Sequence, residues 1–302
     1  MNGKNFNLFL MDGEVTGSIK CTLSNWTGIA YKVPRNFLEK YKDRKDLKQC
    51  GVYFLFGKNK NEEDEVYVGQ GVARKNGEGV LFRVTEHLKD DYDKGDGFYF
   101  NEAIMFTTQN DSFGPTDISY LENRFTNMAK ETGRYIVKNN NDPNPGNVTE
   151  EKKSELEEFI NYSEMVLGIL GYKVFVPLIK KEEKKSLENN QEDLLLHLNN
   201  KSQKSNKEIK AFCKKTNEGF VLLEESMIEV EDGKAIPEPI KEQRKRCFER
   251  NEIVDGILKK QILFTSPSAA AAFVLGTNIN GRTKWVNESG VTLKKLEEIN
   301  NQ

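Results

Sequence analysis

Short apolar runs alternate with polar, turn-rich stretches over most of the chain, a pattern that predicts strands interleaved with a few helices. Residues 6–11 and 15–23 flank Asp12-Gly13, and the second arm alternates at Ile19, Cys21 and Leu23. This predicts an N-terminal β-hairpin with a tight turn. Asn25-Trp26-Thr27-Gly28 turns the chain, and Pro34 leads into a short helix over 36–41. Two apolar runs, 51–56 and 66–69, enclose the polar stretch 58–64 and read as adjacent antiparallel strands joined by a solvated loop. In 80–88 the apolar positions 80, 81, 84 and 88 fit a helical stripe, which puts Arg83 and His87 on one face.

A third strand is expected at 103–107, then a helix over 116–131 that stops before Gly133. After a turn-rich loop at 139–146, Thr149 opens a helix reaching 168–170, and 172–177 reads as a short strand. Residues 180–207 mix Lys, Glu, Asn, Gln and Ser around Leu194-Leu195-Leu196 and read as a linker with one short helix. Beyond it come a hairpin at 209–223, a basic helix at 241–250, an alanine-rich helix opened by Ser266-Pro267-Ser268 and a closing hairpin around Ser289-Gly290. The expected organisation is a hairpin module over 1–50, a central α+β domain over 51–179, the linker over 180–207 and a small α+β domain over 208–302.

Length and charge narrow the partners. A chain of 302 residues has room for two or three domains. Its net charge of -2 excludes a chain-wide basic coat, so any nucleic-acid contact must be local. No apolar run is long enough for a membrane span and the N-terminus has no secretory pattern, so a cytoplasmic protein without membrane contact is expected. Four scattered cysteines and two histidines suggest neither a zinc site nor a disulfide frame.

The candidate chemistry lies between Gly51 and Asn139, where Gly51-Val52-Tyr53, Tyr67-Val68-Gly69, Arg83, His87, Glu122 and Asn139 follow in order. Cutting a phosphodiester needs an aligned, deprotonated water, charge relief on the non-bridging oxygens and a stabilised leaving oxygen. A divalent ion held by one carboxylate and its own waters supplies part of this, and Glu122 is the candidate ligand. Arg83 matches phosphate oxygens with a permanently charged fork, and His87 accepts or relays a proton near neutral pH. A free phenol titrates near 10, so ionising Tyr53 or Tyr67 at pH 7 needs about 4 kcal/mol of stabilisation. Otherwise the phenols orient the water. Gly51 and Gly69 are expected to clear space where a phosphate approaches.

This ordered set resembles the GIY-YIG nuclease superfamily over residues 51–139. The resemblance implies a three-stranded antiparallel sheet flanked by helices, with Tyr53 and Tyr67 at the attacking water and Arg83 at the phosphate. Glu122 would bind one Mg²⁺ or Mn²⁺ per site, and Asn139 would brace it. His87 is similar to the histidine of some restriction-enzyme members. The chain departs at Gln70, where several members carry lysine; Gln70 donates a hydrogen bond but brings no charge.

Residues 266–276 with 280–285 resemble DUF4357, a small domain of unknown function often found beside nucleases. From Lys241 onward the chain has 11 Lys/Arg against 7 Asp/Glu. If Trp285 is exposed beside Arg282 and Lys284, these groups could hold single-stranded or distorted nucleic acid; if it is a core residue, the charges form a solvated face. The expected activity is therefore a metal-dependent endonuclease acting on DNA in preference to RNA. The alternative is a nucleic-acid-binding or protein-interaction module on the same fold with little or no turnover.

Overall fold

In a computed structural model, residues 3–75, 77–90, 98–139, 141–179, 194–201 and 208–300 are described. The chain forms two compact units, Met1–Pro177 and Leu178–Gln302, each a mixture of α and β structure.

The first unit is built on one sheet, and alternation along its central strand explains why. In β4 (Gly51–Lys58), Val52, Phe54 and Phe56 point to one face while Tyr53 and Leu55 point to the other. Both faces are covered, so the strand reads as an unbroken apolar run. β4 pairs antiparallel with β5 (Asp64–Gly71) and with β6 (Phe100–Thr108). The Phe54 face, with Ile104, Phe106, Val66 and Val68, packs under α2 (Pro115–Thr132) and α3 (Glu150–Ile169). The Tyr53 face, with Tyr31, Val33 and Met105, packs under α1 (Val80–Asp90) and a 3-10 segment at Arg35–Tyr41.

The N-terminal strands extend this sheet. β1 (Phe6–Leu10), β2 (Ile19–Leu23) and β3 (Gly28–Pro34) pair in sequence, and β3 runs along β6 from Gly28↔Thr108 to Pro34↔Glu102. With β7 (Ile136–Val137) parallel to β5, the sheet has seven strands in the order β1-β2-β3-β6-β4-β5-β7. The expected module at 1–50 is thus part of the central sheet, and the three expected strands are its interior and one flank. The stretch expected as a strand at 172–177 is irregular; Tyr172 stacks on Phe56 at 3.8 Å and Phe175 on Phe125 at 5.5 Å.

The second unit carries a four-stranded antiparallel sheet in the order β13-β10-β9-β8. Its strands are β8 (Leu194–Lys201), β9 (Glu208–Thr216), β10 (Gly219–Leu222) and β13 (Ile262–Phe264). β8 occupies residues expected to be linker: Leu196 and Leu198 alternate into the core, a strand period rather than a helical one. The rest of the expected linker, 180–193 and 202–207, lies outside the described residues. A two-stranded hairpin, β11 (Ile253–Val254) with β12 (Ile257–Leu258), follows α4 (Glu238–Glu249). The core forms around α5 (Pro267–Leu275), with α6 (Gly281–Lys284) and α7 (Leu293–Asn300) closing the unit. Trp285 is fully buried, its indole N–H donating to the Pro267 carbonyl at 2.9 Å, so the core reading of that residue holds and the exposed one does not.

Candidate active site

Two glycines let α1 approach the sheet closely. A Cβ at Gly51 would overlap the Phe106 carbonyl and crowd Val80, and one at Gly71 would strike the Val80 backbone. The first turn of α1 therefore lies against bare backbone, and its start is fixed by a hydrogen bond from Val80 N to Gln49 O at 3.0 Å. At Gly69, which pairs with Tyr53, a Cβ would overlap the Tyr53 ring. The sequence suggested that Gly51 and Gly69 clear space for a phosphate. The space at Gly69 is filled by Tyr53, and that at Gly51 by β6 and α1, so their work is to seat the helix and the ring.

Seating α1 in this way brings His87 over the tyrosines. The Tyr53 hydroxyl lies 2.8 Å from His87 Nε2, and the Tyr67 ring centroid lies 4.9 Å from the imidazole. The two tyrosine rings are 6.2 Å apart. Tyr53 is fully buried, whereas Tyr67 and His87 are half-buried. Burial pushes the Tyr53 phenol well above its ordinary value of 10; nearby Tyr67 adds to this and Arg83 partly opposes it. In the protein alone Tyr53 thus stays protonated through the neutral range.

Arg83, one turn before His87, holds 47% of its side-chain surface in solvent. Its Nη1 donates to Glu86 Oε2 at 2.6 Å, which raises the guanidinium's already high pKa. The pairing leaves the planar fork oriented beside the two phenols, with further N–H groups to offer a phosphate.

Glu122 comes from α2, on the opposite face of the sheet. The two faces meet because β5 becomes an edge: β7 pairs with it only at Glu65 and Val66. Beyond that point Asn139 takes over, its Oδ1 accepting from Val68 N at 3.1 Å and its Nδ2 donating to Val68 O at 2.7 Å. One side chain imitates a ladder step and pins β5 between Tyr67 and Gly69. Gln70, just past this brace, donates from Nε2 to Glu122 Oε2 at 2.9 Å, and its Oε1 lies 3.1 Å from the Ser119 hydroxyl. Burial raises the Glu122 carboxyl pKa, while the Gln70 hydrogen bond and the charge of Arg83 hold it down in part. Arg83, Tyr53 and Glu122 are close enough to shift one another's ionisation around this open edge.

The donor set suits a hydrated hard cation. Among the described residues no group of three or more His, Cys, Asp or Glu forms a metal cage. A half-buried carboxylate with a raised pKa, one oxygen anchored by an amide, is the kind of single ligand that Mg²⁺ uses while keeping most of its waters. The acidic loop between β4 and β5 sits at the far end of the hairpin. It begins beyond Lys58, five residues from Tyr53, or about 17 Å at a strand's rise per residue.

Residue order in the sequence singled out Tyr53, Tyr67, Arg83, His87, Glu122 and Asn139, and the fold brings them near one another from β4, β5, α1, α2 and the segment after β7. It did not find Ser119, which lies one turn before Glu122 and has no distinguishing neighbours, nor the Gln70 to Glu122 bond. All four cysteines are unpaired and buried. No described helix is long and apolar enough to cross a membrane. No curated protein and no solved structure matches the chain. Residues 202–297 match the family model described as Domain of unknown function (DUF4357), so the second unit carries a DUF4357 domain.

Proposed function

We propose that the first unit is a GIY-YIG-type nuclease domain that hydrolyses phosphodiester bonds in DNA with one Mg²⁺ or Mn²⁺ held at Glu122. The observation that carries this reading is the convergence of a Tyr53–His87 hydrogen bond of 2.8 Å, an exposed Arg83 and the Gln70-anchored Glu122 at one open strand edge. Those groups meet the needs of in-line displacement: a proton acceptor, a cation for the phosphate and a ligand for a divalent ion.

His87 is the proton acceptor in the tautomer whose Nε2–H donates to the Tyr53 hydroxyl oxygen, which fixes the imidazole and leaves Nδ1 to accept. Tyr67, its ring tilted against the imidazole at 4.9 Å, orients the attacking water from the solvent side. Arg83 binds the non-bridging oxygens and gains strength as charge builds there. Gln70 and Ser119 hold the Glu122 carboxylate in place, and Asn139 keeps β5 in register under both tyrosines. A divalent ion bound at Glu122 would supply Lewis-acid charge relief and a lowered pKa for its own waters. The DUF4357 domain is proposed to aid targeting.

The test is cleavage of mixed duplex, branched and single-stranded DNA by the purified chain with Mg²⁺ or Mn²⁺, beside Arg83→Ala and Glu122→Ala. Each substitution is expected to lower kcat by about 10²–10³-fold, the cost of removing one group aimed at transition-state charge. Cleavage by both variants equal to that of the parent would overturn the site.

A further inference from the structure

Beside the Glu122 edge lies a cavity of about 260 Å³ lined by Gln70, Val72, Arg74, Glu78, Phe82 and Arg83 among others. It touches the proposed reaction centre at two points, Gln70, which anchors Glu122, and Arg83. Its far wall carries two apolar side chains that the fold leaves open to solvent, Val72 at 41% and Phe82 at 37% exposed. Phe82 is on α1 one residue before Arg83, and the α1 core is made by Val80, Leu81 and Val84 instead. The exposed part of its ring, together with Val72, gives the cavity an apolar wall. The Arg74 guanidinium stands 5.9 Å from that ring, held by a turn in which Arg74 N bonds Glu78 O at 2.7 Å and Arg74 Nη1 donates to Glu78 Oε2 at 2.9 Å. The groove thus joins an aromatic face to two oriented guanidinium groups, with one carboxylate, Glu78, spent on holding the first of them.

Resting on the nuclease reading above, we propose that this groove takes the nucleotide adjoining the scissile phosphate, its base against Phe82 and Val72 and its phosphate on Arg74. An aromatic ring flanked by arginine is the arrangement that holds unpaired bases without reading their sequence. The volume lies just under the roughly 300 Å³ where pockets for drug-sized ligands begin, which suits one base and its sugar. A base can reach Phe82 only when it has left the helical stack, so the site selects DNA that is single-stranded, branched or mismatched next to the cut. Arg83 then binds the scissile phosphate while Arg74 binds its neighbour, and the two arginines fix the strand's direction across the site.

The test uses the full chain and a fluorescein-labelled DNA oligonucleotide in single-stranded and perfect-duplex forms. Binding is read by anisotropy in chelator, and cleavage in Mg²⁺. Phe82→Ala is expected to weaken single-strand binding about 10-fold, the lower to middle range for one stacked base, and to raise KM with little change in kcat. Phe82→Trp is expected to restore both, a rescue that a purely structural role for the ring would not give. Arg74→Ala is expected to reduce the slope of log affinity against log salt by about one. Parent binding that favours duplex, or Phe82→Ala binding and KM equal to the parent's in a chain that still cleaves, overturns the groove and leaves the nuclease reading standing. A parent that neither binds nor cleaves overturns both.

Discussion

Arg83 in the first unit keeps 47% of its side-chain surface in water and pairs with Glu86 on its own helix, whereas Arg244 in the second keeps 1%. Arg244 donates from Nε to Asp232 at 2.7 Å and from its terminal nitrogens to the carbonyls of Phe273 and Glu229. It ties α4 to α5 and to the segment before it. Burial pushes the Arg244 pKa down and Asp232 pushes it back, so the residue is held charged by its partners. The contrast separates two uses of a cation. Arg244 consumes its donors inside the protein, while Arg83, proposed above to bind phosphate, is held by one carboxylate and stays partly exposed. The aromatics differ in the same way: Phe82 keeps 37% of its surface in water, whereas Trp285 is fully buried and spends its one N–H on a backbone carbonyl.

The largest effect should come from breaking the structural side. Arg244→Met leaves Asp232 and two carbonyls without their donor and is expected to cost about 3–5 kcal/mol. The loss would show in urea unfolding followed by Trp285 emission in a Trp26→Phe background, with kcat on short DNA unchanged. Gly69→Ala attacks the other side, because the new methyl displaces the Tyr53 ring. A stability loss of about 1–3 kcal/mol is expected, and cleavage should fall further than unfolding explains because the Tyr53–His87 bond is lost with it.

Two changes, one at Glu122 and one at its partner Gln70, sharpen the picture by pH. Its carboxyl is raised by burial, so in the metal-free protein it contributes stability that is present below the ordinary carboxylate pKa and lost as pH rises through the folded value. Glu122→Gln should therefore stabilise the metal-free chain at neutral pH, by about 0.5–2 kcal/mol, with the difference vanishing in acid. Calorimetry at several pH values in chelator checks this. Gln70→Lys places a positive charge beside the carboxylate and should move the acid limb of the pH–rate profile down by about one unit. The smallest effect is at Glu86, whose pair with Arg83 is largely solvated. Glu86→Gln should change stability by under about 0.5 kcal/mol, while tightening DNA binding measurably by anisotropy.

Two of the chain's four Asp-Gly pairs illustrate what was legible in the sequence. Asp255-Gly256, with φ of 51° and 76°, makes the tight two-residue turn between β11 and β12. Asp12-Gly13 carries the same local letters but opens a wider loop. There the Asp12 carboxylate accepts from Ser18 N at 2.8 Å and from the Tyr41 hydroxyl at 3.0 Å, so partners distant in sequence decide its shape. Helices α1, α2 and α3 followed from apolar spacing and caps, which are local. The placement of β3 beside β6 and the strand period at 194–198 depended on what packs against them, which no single segment encodes. The site divided in the same way. Its donors were visible because chemistry limits which residue types serve, whereas the meaning of Gly69 and Gln70 lay in the side chains opposite them, Tyr53 and Glu122.

The most direct measurement is single-turnover cleavage of branched DNA by the parent and by Glu122→Gln as Mg²⁺ is raised from zero. A metal site at Glu122 gives a parent rate that rises and saturates with Mg²⁺ and is abolished by chelator, and a variant slower by about 10²–10³-fold at every concentration. A variant that cleaves at the parent's rate with the same Mg²⁺ dependence, or a parent rate indifferent to chelator, would contradict it.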